Sequence, residues 1–216
     1  MFLLRGLIYL FFIVGVAQVI SLEGFELGPN AQYSEDSLTE TLQDAFAGFS
    51  AILFFISAYL SVKFRYAGIL LGALMSMMFV READAFLDEY AFDGAWQIIV
   101  TAIILTVLLS LKGKFGQAYA SLKEYATTAS FGFMSAGIVI IIAFSRLMGR
   151  GSLWQAVMDD AYMRVVKNMV EEGTELLGYT IVVLAAVELL VYVYQRRDQS
   201  VRAIIKSNLV RLPKLT

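Results

Sequence analysis

Six stretches of this chain carry almost no charge. Residues 6–22, 45–62, 66–80, 94–111 and 125–145 contain no charged side chain, and 176–195 contains only Glu188. A helix needs about 20 apolar residues to cross the hydrocarbon of a bilayer. Inside lipid, each backbone N–H and C=O has to be bonded within the protein. Long apolar helices meet that demand, and the strict alternation of a membrane barrel is absent. The run 66–80 is short, but it reaches the required length once polar residues at its outer end join the helix. Composition agrees: the chain is 59% hydrophobic and 17% charged, against about 45–50% and about 25% in soluble domains. The expected fold class is all-α, a polytopic membrane helix bundle. Its six transmembrane helices span about 3–21, 38–62, 66–88, 94–112, 125–148 and 174–195. An amphipathic helix at about 152–170 lies on the outer surface, and 196–216 is a basic cytoplasmic tail.

Orientation follows from the basic residues, because short cytoplasmic loops are enriched in Lys and Arg. With the N-terminus inside, the inner segments hold Arg5, Lys63, Arg65, Lys112, Lys114, Lys123, Arg196, Arg197, Arg202, Lys206, Arg211 and Lys214, which is 12 of the 17 basic residues. The outer segments hold Arg81, Arg146, Arg150, Arg164 and Lys167, together with 16 of the 19 acids. Both termini are therefore expected in the cytoplasm. The first segment also resembles a signal peptide. Its exit, Ala17-Gln18-Val19-Ile20-Ser21, lacks a clear small-x-small cleavage site and its apolar run exceeds a usual h-region, so the expectation is an uncleaved first helix.

The chain has no cysteine and no histidine. That excludes disulfides, thiolate catalysis, Cys/His zinc sites and histidine-ligated haem, and with them the membrane hydrolases built on a histidine zinc site. Any proton chemistry has to rest on Asp, Glu, Lys or Tyr. Nothing points to a nucleic-acid partner.

Local signals set the helix ends. Gly28-Pro29-Asn30 is a turn signal. Ser37-Leu38-Thr39-Glu40 and Ser152-Leu153-Trp154-Gln155 are capping boxes, in which the serine bonds the third backbone N–H. Gly68-x-x-x-Gly72 either lets two helix backbones approach closely or is a chance spacing of two glycines. After Gly149-Arg150-Gly151, the side chains Asp160, Arg164, Lys167 and Glu171 stripe one helical face, with Asp160–Arg164 and Lys167–Glu171 as i,i+4 pairs. That stretch is read as the surface helix, or else as an extension of the sixth transmembrane helix with Gly173 at the bend. The tail 198–214 alternates apolar and basic residues, suiting either the anionic inner leaflet or solvent.

The residues that could carry chemistry gather at the outer helix ends: Glu40 and Asp44; Arg81, Glu82, Asp84 and Asp88; Arg146; and Glu171, Glu172 and Glu175. Ionisable groups at that depth tend to face the bundle interior or a wet cavity. In one arrangement Arg81, Glu82, Arg146 and Glu171 form structural ion pairs with the rest. In another the surplus carboxylates Glu40, Asp84, Glu172 and Glu175 hold a proton or a hard divalent cation, since Mg²⁺, Mn²⁺ and Ca²⁺ prefer oxygen ligands. In a third they are plain solvated helix ends. Glu188 stands apart, 13 residues below Glu175 in the sequence, or about 20 Å along a helix. It is a candidate proton site, a partner for Ser or Thr hydroxyls on a neighbouring helix, or a group that reaches water at the inner interface.

Arg81-Glu82-x-Asp84, Phe144-Ser145-Arg146 and Glu171-Glu172-Gly173-x-Glu175-Leu176-Leu177-Gly178-Tyr179 resemble patterns in a loose group of uncharacterised bacterial multi-pass inner-membrane proteins, over most of residues 35–195. The resemblance implies a bacterial inner (plasma) membrane location and carries no activity. Three function classes follow. The first in order is a structural or accessory component of a membrane assembly, favoured by small size and the lack of a visible repeat, with the bilayer, other membrane subunits or a second copy as partners. The second is a cation- or proton-linked transporter or channel, which calls for a wet path from the outer carboxylates toward Glu188. The third is an enzyme acting on lipid at the outer leaflet, which calls for a lateral opening beside Glu172 and Glu175. An enzymatic role is the less favoured expectation.

Overall fold

The computed structural model describes residues 2–27 and 37–210, with side chains over 3–26 and 37–197. The Gly28-Pro29-Asn30 turn and the side chains of the tail lie outside the described residues. The described chain is helical throughout, with α1 at Phe2–Leu27, α2 at Leu38–Leu60, α3 at Arg65–Glu82, α4 at Asp84–Tyr90 and α5 at Ala95–Leu111. Next come α6 at Phe115–Tyr125 and α7 at Ala129–Val139, then a π-helical turn at Ile140–Ser145 that leads straight into α8 at Arg146–Met148. The chain ends with α9 at Gly151–Met158, a 3₁₀ turn at Asp159–Ala161, and α10 at Arg164–Val210. Among the described residues, four helices are long and apolar enough to cross a membrane: Leu3–Glu26, Leu38–Leu60, Ala129–Met148 and Arg164–Arg197. A fifth is added if α4 and α5, bent by 115° at their junction, form one span.

α10 is the central post. Leu176, Tyr179, Val182, Leu184, Ala185, Ala186 and Leu189 are all buried along it. It packs on α2 and on α7, while α2 packs on α3. α1 lies against α10 and α2, and α5 lies against α3. The flanking helices keep large apolar side chains exposed, among them Leu7, Phe11, Ile98, Leu105 and Leu109. Such a surface is expected where the surroundings are as apolar as the side chains.

Small residues set the closest crossings. A Cβ on Gly68 would stand 2.7 Å from the Phe54 carbonyl oxygen and 2.8 Å from Ala58 Cβ, and one on Gly72 would stand 2.8 Å from the Phe55 ring. The Gly68/Gly72 pair is thus spent within the chain, seating α3 on α2. Gly137 and Gly178 do the same for α7 and α10. A Cβ on Gly137 would meet Val182 Cγ2 at 2.6 Å and the Gly178 carbonyl oxygen at 2.9 Å.

Several boundaries differ from the sequence expectation. The helix expected at 66–88 breaks at Ala83, where ψ rises to 19°. The 113–123 segment, expected as a loop, is mostly the helix α6, and the next helix starts at Ala129 rather than 125. The surface helix expected at 152–170 is two pieces, because Asp159 takes φ 47° and ends α9. Asp160 and Arg164 therefore do not share a helix, while Lys167 and Glu171 do and pair at 2.7 Å. The Ser152 box is not used, since α9 starts at Gly151 with no side-chain cap. The Ser37 box is, with Ser37 Oγ accepting from the Glu40 N–H at 3.1 Å. α10 runs through Gly173 without a break. Gly173 instead gives room to Ile20 of α1, whose Cδ1 lies 3.2 Å from where a Cβ would be.

Candidate functional site

The long helices meet in polar contacts at two levels. At the first, the ends of α2, α3, α8 and the upper part of α10 converge. Arg81 lies in the last turn of α3, directly after its apolar run. It bonds its neighbour Glu82 and lies 3.8 Å from Glu175 of α10. Arg146 reaches the same Glu175 oxygen from α8 at 3.5 Å. Tyr179, one turn further along α10, donates its hydroxyl to Glu82 Oε1 at 2.8 Å. The carboxylates are the deep members, with Glu175 only 4% and Glu82 8% exposed at the side chain. The side chains of Arg81 and Arg146 are 42% and 52% exposed. The acids are thus buried and their cationic partners half-exposed, as long basic side chains allow.

The π-helical turn supplies the geometry on the α8 side. A π turn adds a residue to an α-helix and re-aims whatever follows. Ser145, fully buried, bonds the Ile141 carbonyl at 2.6 Å within that turn, and Arg146 follows directly. Nearby, Gln43 of α2 donates to both the Glu172 backbone carbonyl, at 2.9 Å, and its carboxylate, at 3.1 Å. Glu171 folds over Gly149, occupying the space a side chain there would need.

The four carboxylates expected to share a cation are divided among different tasks. Glu172 is held by Gln43 and Glu175 by two arginines. Asp84 turns back to the Ala85 N–H at 2.8 Å, and Asp88 takes the Gly94 N–H at 3.0 Å. The break at Ala83 puts Asp84 in the first turn of α4, where a negative charge suits the helix N-terminus. Glu40 faces a recess of about 230 Å³ shared with Asp44, Glu82 and Glu89. Asp44 Oδ1 is buried there without a hydrogen-bond partner. Among the described residues, no three acidic side chains stand together as a group able to hold a metal ion.

At the second level, Glu188 of α10 is 6% exposed. It bonds Arg5 Nε at 3.0 Å and accepts the Tyr9 hydroxyl at 2.7 Å. Both partners come from α1, and neither is the Ser or Thr hydroxyl the sequence suggested. A third polar contact was not anticipated at all. Glu23, near the end of α1 and 7% exposed, accepts the Leu38 and Thr39 N–H groups, each at 3.2 Å, and the Thr39 hydroxyl at 2.6 Å. It thereby caps α2 from another helix. The available signal was its place as the first acid after the apolar run 6–22.

Fold and site together define a class: an all-α bundle with helices apolar enough to cross a membrane, and with interhelical charge contacts at two levels. Comparison with protein-family models, with curated proteins and with solved structures finds no match for this chain. The functional reading therefore rests on the geometry itself.

Proposed function

We propose that this chain is a six-pass protein of the bacterial inner membrane, with both termini in the cytoplasm, that serves as a structural or accessory component of a membrane assembly. The shorter α3 and α5, of 18 and 17 residues, complete the count in this reading. α3 begins beside the Lys63–Glu124 pair and ends at the Arg81–Glu175 contact, so it travels from one polar level to the other. The single observation that carries the role is Glu175, clasped between arginines of α3 and α8. A carboxylate saturated in this way fixes helices in place and has little capacity left for a transported ion. Between Glu175 and Glu188 α10 buries Leu176, Val182, Ala185 and Ala186, and the buried hydroxyls of Thr180 and Ser130 are spent on the Leu176 and Ala185 carbonyls, which also disfavours a wet path.

One observation favours the cation- or proton-linked transport reading instead: the acidic recess with the unpartnered Asp44 oxygen. The two readings separate in one experiment. The purified chain is unfolded thermally at matched ionic strength, with and without millimolar Mg²⁺ or Ca²⁺. The structural reading expects no rise in Tm. A rise of several degrees that vanishes in Asp44→Asn replaces it with cation binding, because a ligand that binds only the folded state stabilises it. Native mass spectrometry of gently solubilised membranes tests the assembly role. The chain should appear in a species heavier than its own 24.0 kDa, and a bare monomer under all mild conditions would sink that role.

A further inference from the structure

α6 is fastened to one level of the bundle along its whole length. It follows α5 after the turn Lys112-Gly113-Lys114, in which Gly113 takes φ 74°. Its middle is tied to the start of α3, because Ser121 accepts the Ala67 N–H at 3.1 Å and donates to the Lys63 carbonyl at 2.9 Å. Tyr66, in the first turn of α3, donates to Gln117 Oε1 at 3.0 Å. Its far end leads to α7, which begins at Ala129, and Tyr125 shares a hydrogen bond with Ser130 there at 3.1 Å. In the six-pass reading α5 ends, α3 begins and α7 begins at the same inner boundary of the membrane. A helix tied to that boundary at its start, middle and end lies along it rather than projecting from it.

The faces of α6 are unlike one another. Ala118, Ser121 and Tyr125 are buried against the bundle. Gln117, Ala120 and Glu124 fall about a quarter turn to one side, where they line a polar recess with Lys63 and Arg65. Phe115, Tyr119 and Leu122, spaced i, i+4 and i+7, fall about a quarter turn to the other side and are exposed. That flank is an apolar stripe. Lys112, Lys114 and Lys123 border it along the chain, and none of them has a carboxylate partner among the described residues. Glu124 is the one acid in the segment 112–128; it stands on the recess side and is paired with Lys63. An apolar stripe bordered by lysines is the pattern of a helix lying in a membrane interface, and Tyr suits headgroup depth. A stable protein contact uses about 20–30 residues a side, whereas this flank offers three apolar side chains among like charges.

We propose that α6 lies in the inner interface of the bilayer, with Phe115, Tyr119 and Leu122 among the acyl chains and Lys112, Lys114 and Lys123 on the phosphates of anionic lipids. The assignment rests on the six-pass reading for the level of α6, and it is independent of any assembly role. The test uses the full chain, which has no native cysteine, in vesicles of phosphatidylcholine with or without phosphatidylglycerol. Spin labels are placed singly at Phe115→Cys, Tyr119→Cys and Leu122→Cys, at Ala120→Cys on the recess side, and at Leu105→Cys on the exposed side of α5. Collisions with oxygen, which concentrates in lipid, are compared with collisions with a neutral nickel chelate, which stays in water. With phosphatidylglycerol present, oxygen should exceed the chelate by at least about threefold at the stripe positions, where the side chains sit at acyl depth. At position 120 the chelate should win. Without phosphatidylglycerol, or with Lys112→Gln and Lys123→Gln combined, chelate access at 119 should rise by about twofold or more, since each basic residue adds to the attraction of an anionic surface. Stripe positions dominated by the chelate, with Leu105 still in lipid, overturn the proposal alone. Chelate access at Leu105 as well overturns the six-pass reading together with it. Stripe labels shielded from both reagents replace the lipid with a protein contact. Indifference to phosphatidylglycerol overturns the recognition of anionic headgroups, and the proposal with it.

Discussion

Glu175 and Glu188 show how a single acid is made tolerable in an apolar helix. Each is nearly inaccessible, and each draws a cation from a different helix. Replacing Glu175 with Gln keeps the shape and removes the charge. Arg146 then loses its one carboxylate contact among those described, while Arg81 keeps Glu82. Because both arginine side chains are about half-exposed, the expected loss is about 1–2 kcal/mol, below that of a fully buried charged bond. It would be read as a lower midpoint in detergent unfolding, with Arg81→Gln adding less than its own single effect. A double-mutant cycle on Arg5→Gln and Glu188→Gln should likewise return a coupling of about 1 kcal/mol, with Tyr9 still bonding the residue at 188. No coupling would mean that Glu188 is satisfied some other way. At this scale the sequence was only partly readable. It marked Arg81, Arg146, Glu175 and Glu188 as groups needing partners, because a charge beside an apolar run is costly wherever it sits. It named correctly the Lys167–Glu171 pair, which is local. The partners of Glu188 were out of reach, since Tyr9 is 179 positions away and only tertiary packing decides which polar group arrives.

Helix by helix, the fold depends on where side chains are missing. Gly178→Ala and Gly137→Ala would each force a methyl group into the facing helix, at an expected cost of about 1–3 kcal/mol from overpacking. Gly132→Ala on the same α7 meets nothing within 4 Å and should stabilise by about 0.5–1 kcal/mol through helix propensity alone. Thermal midpoints of the three variants should fall on both sides of the parent; a common direction for all would refute the close-crossing account. The helical segments were legible because apolar runs and their polar ends are one-dimensional signals. Their breaks were not. Nothing in Arg81-Glu82-Ala83-Asp84 forces a stop at Ala83. At the break Asp84 enters the first turn of a new helix and Glu82 accepts the Tyr179 hydroxyl, which is an arrangement settled in three dimensions. The left-handed φ of Asp159 belongs to the same class, since Asp tolerates that region without requiring it.

For the molecule as a whole, the proposed six-pass arrangement makes a simple claim about sidedness. The chain has no native cysteine, so Lys114→Cys and Asp160→Cys can each be tested alone. In intact spheroplasts an impermeant maleimide should label position 160 and spare 114 until the membrane is opened; the reverse pattern would invert the topology. α10 adds a mechanical point. It is one unbroken helix of 47 residues, about 70 Å long, against a hydrocarbon layer of about 30 Å. It is gripped at two heights, by arginines of α3 and α8 near Glu175 and by α1 at Glu188. A stiff beam fastened at two points cannot pivot about either one alone. Force applied to the part that projects past the lipid would be felt as torque at both fastenings, so this rod is built to hold an angle rather than to swing.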